Sequence, residues 1–247
     1  MKECIKCGKK SRYDVCALCL NEMKHADVRR EIYDLRYSAY STDHGKVVTD
    51  ILKGFISPRK QILDIGCGAG HLSDFLYKNG MTVISIDFSQ HMIISTKNNY
   101  SHLNPIIMSA EKLGFKDKSF DVVISYDLIE HLYDVKSHLK EVRRILKRGG
   151  FYIIKTPNKH IERLYNIFKH PDNKYRKAFH PSLQSHLSLN KISTITGFDV
   201  KFLPVRELSN TQMAKIKNEH IKTLAAFLVK HLPMGVLPTI LCIATRH

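Results

Sequence analysis

The chain is predicted to fold as an α/β protein. We expect a doubly wound sheet, mostly parallel with an antiparallel last strand, preceded by a small N-terminal module. Three observations carry this. Apolar runs of strand length alternate with helix-spaced apolar stripes from about residue 60 onward, as expected when helices pack between buried parallel strands. One of those runs, Ile62 to Ile65, ends in Gly66-Cys67-Gly68-Ala69-Gly70. Leu72, Phe75 and Leu76 then recur at helical spacing before Asn79-Gly80, so the segment reads strand, glycine turn, helix. Finally, the first twenty residues hold two Cys-x-x-Cys pairs, too short a stretch to own a core.

Those pairs are Cys4/Cys7 and Cys16/Cys19, with Gly8 after the first. Four thiolates at this spacing can close a tetrahedron around zinc, and an all-Cys site is structural rather than catalytic. Redox pairs or unligated thiols are the alternatives. Nothing resembling a signal peptide opens the chain, which points to the cytoplasm and reduced thiols. The module is assigned residues 1–22. Residues 23–57 follow as a helical cap, with stripes at Val28, Ile32 and Leu35 and at Val47, Val48, Ile51, Leu52 and Phe55. Residues 58–247 form the main domain.

Charge is unevenly spread. The chain holds 39 Lys+Arg against 23 Asp+Glu, a net +16. Residues 61–150 contribute +1, residues 1–60 +5 and residues 151–247 +10. A neutral centre with basic flanks favours an anionic partner: nucleic acid, a phosphorylated metabolite or an anionic lipid surface. The bland alternative is solubility alone. The most apolar tract, 224–244, is interrupted by Lys230, His231, Pro233 and Pro238, which makes a poor membrane span.

The glycine turn narrows the ligand. Three glycines remove the Cβ atoms that would keep a ligand off the backbone, and the helix that follows offers free N–H groups. Its G-x-G-x-G spacing, with His at 71, differs from the dinucleotide pattern. Asp64 stands two residues before the turn, where it disfavours a pyrophosphate and suits an ammonium. Asp87 ends the next strand, Met81 to Asp87, where an acid can hold ribose hydroxyls. A cationic amino acid joined to a ribose without phosphate describes S-adenosylmethionine. Asp64, the three glycines and Asp87 together resemble the class I S-adenosylmethionine-dependent methyltransferases, with a Rossmann-like sheet, from about residue 35 to the C-terminus. The resemblance implies cofactor contacts at Asp64, Gly66, Cys67, Gly68, Gly70, Asp87, Phe88 and Ser89, and further on at Ser109, Ala110, Glu111 and Tyr126.

The remaining elements follow in order. Ser89 can cap a helix carrying Met92 and Ile93. Pro105 to Met108 is a short strand ending at Ser109-Ala110-Glu111, where relatives place adenine contacts; this chain has Ser109 where they often have an acid. Phe120 to Ser125 is a strand leading to Tyr126-Asp127-Leu-Ile-Glu130-His131, which should lie at the cleft beyond the strand ends. Some relatives carry Glu-x-x-Glu-His here and bind a divalent metal; with Asp127 in the first position, a metal-free cleft histidine or helix cap is the competing reading. Asp134 can cap a helix with Val135, Leu139, Val142, Ile145 and Leu146, which Gly149-Gly150 would end. Phe151 to Thr156 is the fifth strand.

Residues 159–187 form a basic, histidine-bearing insertion at the place of the relatives' substrate lid. Within it Lys174, Arg176 and Lys177 are candidate contacts for an anionic acceptor, and Tyr37 and Tyr40 are candidates in the helical cap. His131, His180 and His186 are the candidate catalytic bases, His131 foremost because its strand aims it at the cleft. Beyond the lid we expect a helix from Ser188 to Thr196, a strand at Phe198 to Phe202 and an amphipathic helix over 211–231 with Met213, Ile216, Leu224, Phe227 and Leu228. Ile240 to Ala244 is the last strand. The resemblance implies methylation of a small-molecule, lipid or glycan acceptor; RNA competes through the zinc module and basic flanks. A third reading is a cofactor-sensing zinc scaffold without catalysis.

Overall fold

The computed structural model describes residues 2–3, 10–11, 59–169, 180–206, 208, 213, 216 and 218–247. Two short strands, β1 (Lys2–Glu3) and β2 (Lys10–Ser11), pair antiparallel. Cys4, Cys7, Cys16, Cys19, Tyr37, Tyr40, Lys174, Arg176 and Lys177 lie outside the described residues, as does nearly all of the proposed zinc module and all of the helical cap.

The main domain is built on a seven-stranded sheet. In chain order its elements are β3 (Gln61–Ile65), α1 (His71–Lys78), β4 (Thr82–Asp87), α2 (Gln90–Asn99), β5 (Ile106–Ile107), β6 (Phe120–Tyr126), α3 (Val135–Ile145), β7 (Leu146–Pro157), α4 (Lys159–Lys169), α5 (His186–Ile195), β8 (Phe198–Leu203), α6 (Glu219–His231) and β9 (Thr239–Arg246). The strand order is β5-β4-β3-β6-β7-β9-β8. The first five strands of that order pair parallel, while β9 runs antiparallel to both neighbours. The last strand is thus the reversed one, as the sequence predicts.

The sheet is buried on both faces, and its side chains divide by the two-residue period of a strand. Leu63, Ile65, Val123, Ile154 and Cys242 meet Leu139, Val142 and Ile145 of α3 and Leu189 of α5. Ile62, Val122, Ile124, Ile153 and Leu241 face the other way, toward Leu76 of α1. Each such fully buried aliphatic side chain contributes about 1.5–3 kcal/mol relative to exposure. One polar chain runs through the first layer: His138 Nε2 lies 2.7 Å from the Tyr152 hydroxyl, which in turn bonds Ser125. Burial holds His138 neutral, its pKa lowered to about 4.

Caps set the helix starts. Ser89 Oγ accepts from Met92 N at 3.1 Å and Asp134 Oδ1 from Ser137 N at 2.9 Å, both as predicted. Elsewhere boundaries move. Helix α3 ends at Ile145, not at Gly149-Gly150; those glycines instead sit inside β7, where the register against β6 shifts between Phe120 and Val122. A Cβ on Gly150 would stand 2.9 Å from the carbonyl oxygens of Asp121 and Lys147, so the irregularity needs glycine. Helix α5 begins two residues early because Ser185 and Ser188 form a reciprocal capping box. Helix α4 opens the lid insertion, where the sequence reading placed no helix. Helix α6 starts at Glu219, capped by Asn218 Oδ1, and turns Ile221, Leu224, Phe227 and Leu228 to solvent.

Candidate active site

The carboxyl ends of β3, β4, β6 and β7 converge on one edge. The loops after them carry most of the predicted site residues that are described. Gly66, Gly68 and Gly70 have φ of 74°, 53° and 86°, all in the left-handed region. The Gly66 and Cys67 amides donate to Ile86 O at 2.8 and 3.0 Å, which ties the turn to β4. The Thr96 hydroxyl donates to Gly68 O at 2.7 Å and fixes the turn from the α2 side. A Cβ at Gly68 would meet no atom within 4 Å. The turn is therefore a braced backbone loop with one open side, which suits close approach of a ligand.

Asp87 is the brace on the β4 side. Its Oδ2 accepts from Gly68 N at 3.0 Å and its Oδ1 from Ser89 N at 2.8 Å. One carboxylate thus joins the glycine turn to the start of α2. Asp64 is 2% exposed and accepts from the Ser73 hydroxyl at 2.6 Å, which in turn accepts from the Ser85 hydroxyl. Burial raises its pKa to about 7, Ser73 opposing and Asp87 adding to the rise. A buried carboxyl poised there gains its charge readily when a cation arrives and disfavours a phosphate. The acids and the open turn fit S-adenosylmethionine. Cys67 is half-buried in the turn, its thiol pKa raised by burial and then by Asp87 and Asp64.

The next loop, Ser109 to Glu111, is taken up internally. Ser109 Oγ accepts from Glu111 N, the Ala110 carbonyl meets His138 Nδ1, and Glu111 Oε1 accepts from the amides of Tyr133 and Asp134. The Glu111 carboxylate is thus committed to the chain entering α3.

Beyond β6, Tyr126 is largely enclosed, its phenol pKa raised by burial and by Asp64 and Asp127. Asp127 holds φ of 49° and pairs with Lys155 Nζ at 2.8 Å. Glu130 is 1% exposed and accepts from the Thr156 hydroxyl at 2.9 Å; burial, then Asp127, pushes its carboxyl well up. Among the described residues, no group of three His, Cys, Asp or Glu is placed to hold a metal, and Asp127 and Glu130 are engaged by Lys155 and Thr156 instead.

The histidines divide. The rings of His131 and His180 stand edge to face with centroids 4.9 Å apart. Glu130 Oε1 lies 4.0 Å from His131 Nε2, and Glu162 Oε1 lies 3.9 Å from His180 Nδ1. The Ser182 amide donates to Glu130 O at 3.1 Å and docks the lid's return segment onto this loop. His186 packs apart, on Phe202 with centroids 4.9 Å apart, its pKa lowered by burial and then by His160. Sequence reasoning missed Glu162. The signal was there: an isolated acid three residues into a basic insertion, on the helix that opens it.

Comparison with known proteins agrees with this geometry. Residues 63–154 match the methyltransferase domain family. That stretch is similar to S-adenosylmethionine-dependent methyltransferases. The chain is 36% identical over 103 residues to a ubiquinone biosynthesis O-methyltransferase of Pelagibacter ubique, covering 40% of this chain and 42% of that protein. It is 28% identical over 107 residues to a probable S-adenosylmethionine-dependent methyltransferase of Mycobacterium tuberculosis, covering 42% and 39%. The chain thus spans about two fifths of the length of these curated relatives. The fold also matches a chain from the complex between the Haloferax volcanii Trm112 methyltransferase activator and a methyltransferase, with a TM-score of 0.65, 18% identity, and 94% and 100% of the two chains covered.

Proposed function

We propose that the whole chain transfers a methyl group from S-adenosylmethionine to an oxygen of a small-molecule, lipid or glycan acceptor of anionic character. The observation that carries this is the meeting of His131 and His180 at the sheet edge that also holds the braced glycine turn. When bound, the cofactor supplies a methyl already activated by a sulfonium, so placement of the acceptor accounts for much of the acceleration. Asp64, Gly66, Cys67, Gly68, Gly70, Asp87, Phe88 and Ser89 hold it, with Ser109 and Ala110 beside them. His131 takes the acceptor hydroxyl's proton, while Glu130 and His180 keep its ring oriented. Lys174, Arg176 and Lys177 meet the acceptor's negative group. The similarity to an O-methyltransferase supports oxygen as the acceptor atom.

Transfer of label from the methyl-labelled cofactor to separated lipid, metabolite and RNA pools tests the reading. Label is expected in the lipid or metabolite pool. His131→Ala should lower kcat on the order of 10²-fold with cofactor affinity unchanged, and alanine at the three lid cations should raise KM. Label in RNA alone, or an unaltered rate in the His131 variant, would overturn it.

The N-terminal module is included in the proposal as a closed zinc site of Cys4, Cys7, Cys16 and Cys19. The antiparallel pairing of Lys2–Glu3 with Lys10–Ser11 supports it, since Cys4 and Cys7 fall between those strands in sequence. Elemental analysis of protein purified without chelator should find one zinc per chain; finding none would rule the site out.

A further inference from the structure

Helix α6 presents its larger apolar side chains away from the protein. Val229 is the buried residue of this helix, and Lys222, Ala225 and Ala226 are half-buried beside it. Ile221, Leu224, Phe227 and Leu228 are between 49% and 59% exposed. Met234 and Val236, in the turn after the helix, are 37% and 42% exposed. A helix packed on a domain in water ordinarily does the reverse, burying its bulky stripe and exposing its small or polar one. Bulky apolar side chains exposed along one helix in this number mark an interaction site.

The surroundings are cationic. Residues 203–238 hold five Lys or Arg and two Asp or Glu. Lys230, His220 and His231 are exposed on the helix itself. Lys222, on the body-facing side, is 24% exposed and is neutralised by Glu219 at 2.5 Å. Arg206 Nη1 donates to the carbonyls of Lys230 and Leu232 and pins its guanidinium at the helix end. The surface also adjoins the acceptor side of the site. Asn158, at the end of β7 where α4 begins, donates from Nδ2 to Gly235 O and Leu237 O, both at 2.9 Å.

We propose that the outer face of α6 and the turn after it form an interfacial docking surface for an anionic lipid bilayer. Bulky apolar side chains enter the headgroup boundary while the flanking cations meet lipid phosphates. Nucleic acid would use the cations but gives no reason to present Ile221, Leu224, Phe227 and Leu228 outward. No helix among the described residues is long and apolar enough to cross a membrane, so the surface lies on the bilayer. The inference stands on this surface alone and holds whether or not the methyl-transfer reading does.

Co-sedimentation of the full chain with vesicles tests it without any turnover. The chain should bind vesicles of phosphatidylcholine mixed with phosphatidylglycerol more tightly than vesicles of phosphatidylcholine alone. Leu224→Gln with Phe227→Gln should weaken that binding about tenfold or more, on the scale of the apolar area lost. Lys230→Gln should weaken it and flatten its salt dependence. Both variants should keep the circular dichroism spectrum of the native chain. Failure of the native chain to bind anionic vesicles, equal binding to both vesicle types, or native-like binding by the apolar variant would each overturn the proposal. So would a dimer that the apolar substitutions dissociate and that does not bind vesicles. Hydrogen exchange of α6 left unchanged by anionic vesicles would also overturn it.

Discussion

Replacing Asp87 by Ala is expected to weaken S-adenosylmethionine binding by roughly 1.5–3 kcal/mol, the scale of a hydrogen bond to a charged group. That is a rise of roughly tenfold to 150-fold in Kd. The carboxylate does two jobs. It holds Gly68 N and Ser89 N, and so sets the distance between the glycine turn and α2. In the proposed function it also accepts from the ribose hydroxyls. Alanine removes both, whereas Asp87→Asn keeps an acceptor for one amide and should lose less. Isothermal calorimetry reads the difference directly. Unchanged affinity in the alanine variant would sink the ribose assignment.

The second large effect is on stability. Gly70→Ala should lower the free energy of unfolding by about 2–5 kcal/mol, from left-handed strain and overpacking together. At φ of 86° an added Cβ would lie 2.6 Å from Thr96 Cγ2 and 3.1 Å from Tyr100 Cδ2. Neither neighbour yields easily. Thr96 is fully buried and its hydroxyl holds Gly68 O, while the Tyr100 hydroxyl lies 2.6 Å from His71 Nδ1. Gly68→Ala is the control: the backbone is also left-handed, but nothing lies within 4 Å of the new atom. It should cost about 1 kcal/mol, the conformational strain without the clash. Denaturant midpoints showing equal losses at 68 and 70 would refute the packing argument.

The parts of this fold that local chemistry dictates were open to reading from sequence. The spacing of Gly66, Gly68 and Gly70, the acid at the end of β4, and the caps at Ser89 and Asp134 each depend on a few adjacent residues, and each stands where expected. So does the reversed last strand. What depends on distant partners was not legible. Gly149-Gly150 is a sound helix stop by local rules, yet it serves the register of β7 against β6, which involves residues some thirty positions earlier. The stripe on α6 reads as amphipathic, but sequence does not say which side the body takes, and it takes the side of Ala226 and Val229. His131 and His180 are separately visible as candidates. Their pairing, and the carboxylates of Glu130 and Glu162 that flank it, exist only once the segment at His180 to Ser182 docks on the loop after β6.

The strand order carries a lesson about how the molecule is made. In space β9 lies between β7 and β8, yet β8 precedes it in the chain. Until β9 is available, β8 has no partner in the sheet, and the far side of β7 stands as an open edge. β7 carries the continuous apolar run Phe151 to Ile154 and β8 is apolar on alternate positions, and unpaired edges of that kind invite pairing with other chains. Contacts between β7 and β9 also join residues more than eighty positions apart, such as Ile153 and Ile243, which slows their formation. A newly synthesised chain is therefore expected to complete its glycine-turn half first and to close the sheet in a late step, an order that pulse-labelled hydrogen exchange reads as protection of β3 before β9. That interval is when it most needs shielding from its own kind.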